Sequence, residues 1–468
     1  MSPPSRCGFG LLVMLLTPGL THAAEPQPEP KRFAIVIGVN SPADHSLPAL
    51  QYADDDALRT HELLIEAGVS SVVLVRLDDK TRALRPDFVA HDVPRFDAFE
   101  RAQAQIREQI RMARAAGAAT EFMLVYSGHG DVEHGEGYLT FEDRHLTRGA
   151  LYGYLHALGA GYNHVIIDAC RSYFMAYDRG TGGRRETFMG KSIVAEVPAQ
   201  LRNTGFILST SSDRDSHEWD RYEGGILSHE VRSALRGAAD ADANGKVSYV
   251  ELAAFLHQAN REITNPRFRP EFLVRAPGDD YTRALLSWPT QHDVLHVSTQ
   301  DWGHFFVETA DGDRVLDANP ARGQSLGLHV PARRPLYVLR NDWSGEQIIV
   351  EPGAANVGAP RAAQPNLLAR GGSRGFALEK LFEAPFGVQH VRAYRPTILA
   401  LNVLSQPAGS RQSDKLQLKE SLFESPVFWV SVGVAVVGAA VLTGALLANQ
   451  TDEPPTYGGT TGISLGAR

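Results

Sequence analysis

The sequence predicts an α/β fold: a mostly parallel sheet with helices on both faces, then a small antiparallel β module and a C-terminal transmembrane helix. Three observations predict it. From Phe33 to about Trp288, continuous apolar runs alternate with amphipathic helical stretches, the pattern of strands buried on both faces by crossover helices. After Trp288 the apolar runs become short and closely spaced, with an Asp311-Gly312 turn between two of them, as in hairpins. Finally, Val427–Ala448 carries no charge, and a helix of that length spans about 33 Å, the thickness of a hydrocarbon core.

The elements follow in order. Residues 1–24 read as a secretory signal, with Arg6 ahead of the apolar core Gly8–Leu16 and small residues Ala23 and Ala24 at the cleavage point. Phe33–Val39 is the first strand, ending at Asn40. Asp55–Ala67 is a helix with Leu58, Leu63 and Leu64 on its apolar side and Gly68 at its C-terminus. Val72–Leu77 is the next strand. Phe96–Ala115 places Phe99, Ala102, Ile106, Ile110 and Ala113 on one helical face. Phe122–Tyr126, Val165–Ile167 and Phe206–Leu208 are three further buried strands. In the module, Val294–Val297, Phe305–Glu308, Arg314–Asp317, Leu336–Arg340 and Gln347–Glu351 are strand-like. The domain plan is therefore a signal (1–24), an α/β domain (31–288), a β-rich module (290–400), a juxtamembrane linker (401–426), a membrane helix (427–448) and a short tail (449–468). Signal and helix together imply an exported, extracytoplasmic, single-pass membrane protein, periplasmic in a Gram-negative cell.

Composition narrows the function. The 468 residues are 43% hydrophobic and 21% charged, which excludes a wholly disordered or fibrous chain. Lys and Arg number 46 against 54 Asp and Glu, a net charge of −8, so no basic field for nucleic acid exists. The two cysteines, Cys7 and Cys170, exclude a disulfide scaffold and a thiolate zinc cluster. Removal of the signal leaves Cys170 as the one cysteine of the mature chain. A thiol without an intramolecular partner in an oxidising compartment is a liability unless it is used.

Two short sequences follow apolar strands. Phe122–Tyr126 runs into Ser127-Gly128-His129-Gly130, and His164–Ile167 into Asp168-Ala169-Cys170-Arg171-Ser172. If both strands belong to one parallel sheet, His129 and Cys170 lie beyond its carboxyl ends, where open α/β sheets place their sites. An imidazole beside a thiol can take its proton and later protonate a leaving amine. The N–H groups of Gly130 and Cys170 are candidates to bind the oxyanion.

From Phe33 to about Trp288 these residues resemble the caspase-like clan of cysteine peptidases, which includes caspases, metacaspases and bacterial caspase-like proteins. The match also involves Phe33–Gly38, Tyr52–Ala57 and Gly224–Ser228. The resemblance implies a caspase–haemoglobinase fold, His129 as general base and acid, Cys170 as nucleophile, and a protein or peptide substrate. It implies no cofactor for the chemical step. Caspases carry Gln two residues before the Cys and have a basic S1 pocket. Here that position is Asp168, as in metacaspases, and Asp56 matches their second pocket acid. A pocket carboxylate selects Arg or Lys at P1. Asp54-Asp55-Asp56 reads equally as an acidic helix N-terminus, and Arg171-Ser172-Tyr173 departs from the metacaspase His-Ser-Gly. The alternative is a catalytically inactive relative that serves as a binding scaffold.

Asp240, Asp242, Asn244, Gly245, Lys246, Ser248 and Glu251 fit the EF-hand-like calcium loop. Side chains at the first, third and fifth positions offer oxygens, the glycine makes the turn, Lys246 offers its carbonyl, and Glu251 closes the site as a bidentate ligand. The expected metal is calcium, structural or regulatory.

Overall fold

The computed structural model describes residues 29–395 apart from 44–46, 87, 89–91, 135, 170–200, 210–217, 266–268, 290–291, 293, 299, 301, 332–334, 341–345, 352–353, 360 and 363–377. All of these belong to a compact unit, Met1–Val403. The signal at 1–24 and the membrane helix at 427–448 lie outside the described residues. Among those described, no helix is long and apolar enough to cross a membrane.

The chain begins with β1 (Lys31–Gly38), α1 (Ala53–Glu66), β2 (Ser70–Val75), α2 (Asp79–Leu84), α3 (Phe96–Ala115) and β3 (Thr120–Ser127). Three short strands follow: β4 (Gly130–Glu133), β5 (Glu136–Thr140) and β6 (His145–Thr147). Then come α4 (Arg148–Leu158), β7 (Tyr162–Asp168), β8 (Thr204–Ser209), β9 (Glu218–Trp219), β10 (Gly224–Gly225) and α5 (Ile226–Ser233). A single π-helical turn, Ala234–Ala238, extends α5. The domain closes with β11 (Lys246–Ser248), α6 (Tyr249–Ala259), β12 (Phe272–Arg275) and β13 (Ala284–Ser287).

The central sheet has the order β2-β1-β3-β7-β8-β12. The first five strands are parallel and β12 is antiparallel to β8. Successive residues of β1 point to opposite faces. Ala34 and Val36 join the core under α1, α5 and α6, whereas Phe33, Ile35 and Ile37 join the core under α3 and α4. The apolar face read on α3 is buried, from Phe99 through Ala113. Helix α1 starts at Ala53, two residues earlier than expected, which places Asp54, Asp55 and Asp56 in its first turn, where the helix dipole favours negative charge. Gly68 takes a positive φ of 79° just past its end.

From β1 the chain moves to the β2 edge and then returns to β3 on the other side of β1. That reversal is a topological switch point, and open α/β sheets place their sites at the carboxyl ends of the strands flanking such a point, here β1 and β3. Gly38 pairs with Ser127 and Ser127 with Asp168, so the three strand ends lie in register.

The module comprises β14 (Val294–Ser298), β15 (Phe305–Thr309), β16 (Arg314–Ala318), β17 (Ser325–His329), β18 (Leu336–Arg340), β19 (Glu346–Val350), β20 (Asn356–Val357) and β21 (Arg361–Ala362), followed by α7 (Val388–Ala393). Strand β17 was not anticipated, since Gly327 interrupts its apolar alternation. The core under α1, α5 and α6 continues into Leu295, Phe305, Leu316, Leu328 and Phe382. Polar contacts reinforce this seam. The buried Asp317 carboxylate accepts from His229 Nε2 on α5 at 2.7 Å and from His304 Nε2 at 2.8 Å. Burial pushes His229 down to about 4, so it donates as a neutral imidazole.

Candidate active site

His129 follows β3 in a tightly held loop. The Tyr126 hydroxyl lies 2.8 Å from the His129 carbonyl, which also accepts from the Thr140 amide at 3.1 Å. The Gly128 amide donates to the Asp168 carbonyl at 3.2 Å, tying this loop to the end of β7. His129 is 8% exposed, and its ring Nε2 lies 2.7 Å from the Pro48 carbonyl. A carbonyl only accepts, so Nε2 carries the proton and Nδ1 remains the acceptor. Burial lowers the His129 pKa, and the bond to Pro48 only partly offsets this. The ring is therefore largely neutral near pH 7, in the tautomer a general base needs. Gly130 opens β4 and is buried. Cys170 lies outside the described residues, two positions past the end of β7.

The Asp168 and Asp56 carboxylates converge but differ in exposure. Asp168 is partly exposed. Its Oδ2 accepts the Ser228 amide at 2.9 Å and the Ser228 hydroxyl at 2.8 Å. Burial and the neighbouring Asp56 charge raise its carboxyl to about 6. Asp56 is 2% exposed. It accepts from Arg232 Nη1 at 2.8 Å, the Gly225 amide at 2.7 Å and the Ser127 hydroxyl at 3.3 Å. A Cβ on Gly225 would collide with Asp168 Oδ2 and lie 3.1 Å from Asp56 Oδ2, so only glycine fits between them. Asp56 thus has a buried counter-cation in Arg232, whereas the Asp168 carboxylate is bonded by the amide and hydroxyl of Ser228.

Sequence reasoning missed Pro48, Arg232 and the role of Ser228. A carbonyl leaves no signature in a side-chain pattern. Arg232 shares α5 with the buried His229 and Glu230, so its sequence context does not single out Asp56 as its partner. The other acids of the run have separate partners. Asp54 accepts from Asn40 Nδ2 at 2.7 Å and the Asp78 amide at 2.8 Å, whereas Asp55 lies 3.9 Å from Arg59.

A family model described as "Caspase domain" matches residues 31–274, just over half of the chain. The chain belongs to the caspase-domain family. Solved structures similar to it include caspase-1 from Spodoptera frugiperda, at 15% identity over 57% of this chain and 93% of that one, with a TM-score of 0.34. Another is the Drosophila initiator caspase Dronc, at 10% identity over 54% of this chain and 81% of that one, with a TM-score of 0.32. No curated protein matches. Within the caspase domain, His129 and Asp168 stand at the carboxyl ends of adjacent strands. A separate cavity of about 350 Å³ lies between α1 and the β15–β16 hairpin and is lined by neither residue.

The calcium-loop residues lie between α5 and α6. One carboxylate oxygen each from Asp240, Asp242 and Glu251 lie within 4.8 Å of one another. Gly245 adopts a φ of 76° at the turn. Asp240 accepts from the Asn244 and Gly245 amides at 3.0 and 2.8 Å. Glu251 accepts from the Ser248 amide at 2.9 Å and also caps α6.

Proposed function

We propose that this caspase-domain protein is a cysteine endopeptidase that cleaves after Arg or Lys, anchored outside the cytoplasm by its C-terminal helix. The observation that carries the reading is His129. Its Nε2 is committed to the Pro48 carbonyl and its Nδ1 is left as acceptor, at the switch point of the sheet and one strand from the Cys170 motif.

In this reading Nδ1 takes the Cys170 proton as sulfur attacks the scissile carbonyl. The oxyanion is held by the N–H groups of Gly130 and Cys170. The tetrahedral intermediate collapses as His129 protonates the leaving amine, giving a thioester and the first product. His129 then deprotonates water, which cleaves the thioester and restores the thiol. Asp168 receives the P1 cation. Ser228 occupies its Oδ2, and its Oδ1 accepts no hydrogen bond among the described residues. Digestion of a positional peptide library by wild type and Cys170→Ala tests the proposal.

Calcium belongs to the same reading. The three converging carboxylates fit a hard divalent cation, with Asn244, the Lys246 carbonyl and Ser248 completing the loop. The cation would supply charge neutralisation between α5 and α6. Millimolar calcium is expected to raise the melting temperature of the full chain by about 3–8 °C, from mass action on a folded-state site. In Asp240→Asn/Glu251→Gln this shift should vanish. Superimposable wild-type melting curves in calcium and in chelator would remove the metal.

A further inference from the structure

Asp313 belongs to the β module, at the turn of the β15–β16 hairpin. Gly312 takes a φ of 85° there. The Asp313 amide and carbonyl bond Thr309 Oγ1 at 3.2 Å and the Thr309 amide at 3.0 Å. The hairpin thus holds the Asp313 backbone, and its carboxylate lies between Arg59 and Arg85. Arg59 Nε and Nη2 reach its Oδ1 at 2.9 and 2.7 Å.

Arg59 is buried in α1, and its other edge does separate work. Nη1 donates to the Tyr222 carbonyl at 3.1 Å and to the Glu223 carbonyl at 2.6 Å. Glu223 holds a positive φ of 44°, a conformation that costs energy for a residue with a Cβ. The next two residues are Gly224 and Gly225, and the Gly225 amide bonds Asp56 while its Cα passes between Asp56 and Asp168. A guanidinium is a rigid planar fork, so fixing one edge on a carboxylate aims the other. Competing acids are close: Asp55 lies 3.9 Å and the Glu223 carboxylate 3.7 Å from Arg59 Nη2.

We infer that Asp313 is a positioning residue for the P1 pocket: it orients Arg59, which pins the strained 222–225 turn between Asp56 and Asp168. The β module is then a structural part of the pocket of the caspase domain. The effect on substrate rests on the peptidase reading above, whereas the effect on the turn does not.

The test uses the full chain with Asp313→Asn, Asp313→Glu and Arg59→Lys. In Asp313→Asn, amide hydrogen exchange at Gly224 and Gly225 should accelerate about tenfold, with β1 and β3 unchanged. KM for a P1-arginine peptide should rise about tenfold while kcat stays within about twofold. Iodoacetamide should alkylate Cys170 at the wild-type rate, and Asp313→Glu should restore both readouts. Arg59→Lys keeps the charge without the fork and should reproduce Asp313→Asn. It decides the matter if that variant fails to fold. Unchanged exchange at Gly224 and Gly225, or an equal rise in β1 and β3, would overturn the inference. A fall in kcat at constant KM would do the same. If wild type cleaves no Arg or Lys peptide, the peptidase reading fails and the exchange comparison alone decides the role of Asp313.

Discussion

Replacing His129 with alanine is expected to lower kcat/KM on arginyl peptides by about a thousandfold or more. Cys170→Ala should leave no turnover above background. The size of the effect follows from the chemistry. Near neutrality the thiol is mostly protonated, and the leaving amine needs a proton to depart. In the proposed mechanism a single imidazole supplies both transfers, with its Nε2 bonded to the Pro48 carbonyl. The fold should survive, since the His129 ring gives one hydrogen bond, worth about 1–2 kcal/mol. Single-turnover kinetics beside melting curves check this. A folded His129→Ala enzyme within about tenfold of wild type would remove the ring from the chemistry.

The second large effect is expected at Asp168. Asp168→Asn should lower kcat/KM for P1 arginine by about 10–100-fold, mostly through KM, as a charge-assisted pair becomes a neutral one. In wild type the same carboxylate should give the profile an acid limb. Burial and the Asp56 charge raise Asp168 to about 6. Below that value it is protonated and attracts no cation, so cleavage after arginine should climb as pH rises through about 6. Stability runs the other way. A folded pKa above the unfolded value contributes stability that is full below the ordinary carboxylate range and is lost as pH rises through 6. Asp168→Asn should remove both dependences. An unchanged P1 profile in that variant would place Asp168 outside the pocket.

The five parallel strands were legible because they are continuous apolar runs, the trace left by strands buried on both faces, whereas the antiparallel edge strand β12 was not. Gly128 and His129 were legible as loop residues directly after such a run, and Asp168 as the residue that ends one. The fates of Asp54, Asp55 and Asp56 were not. Three identical side chains in one helical turn find Asn40 and Asp78, Arg59, and Arg232 respectively. The Arg59 pairing is local, an i,i+4 contact within α1, but the partners of Asp54 and Asp56 come from elements brought together by the fold. Strands β4 to β6 were unread because they are short and mixed in polarity. Arg59 was likewise opaque, since its partners are two backbone carbonyls and a carboxylate on the module.

The decisive measurement is digestion of a positional peptide library by the full chain with calcium present. Wild type should cleave after arginine and lysine, and Cys170→Ala should cleave nowhere. Cleavage by wild type and Cys170→Ala alike, or no cleavage after basic residues by a folded wild-type protein, would contradict the peptidase reading.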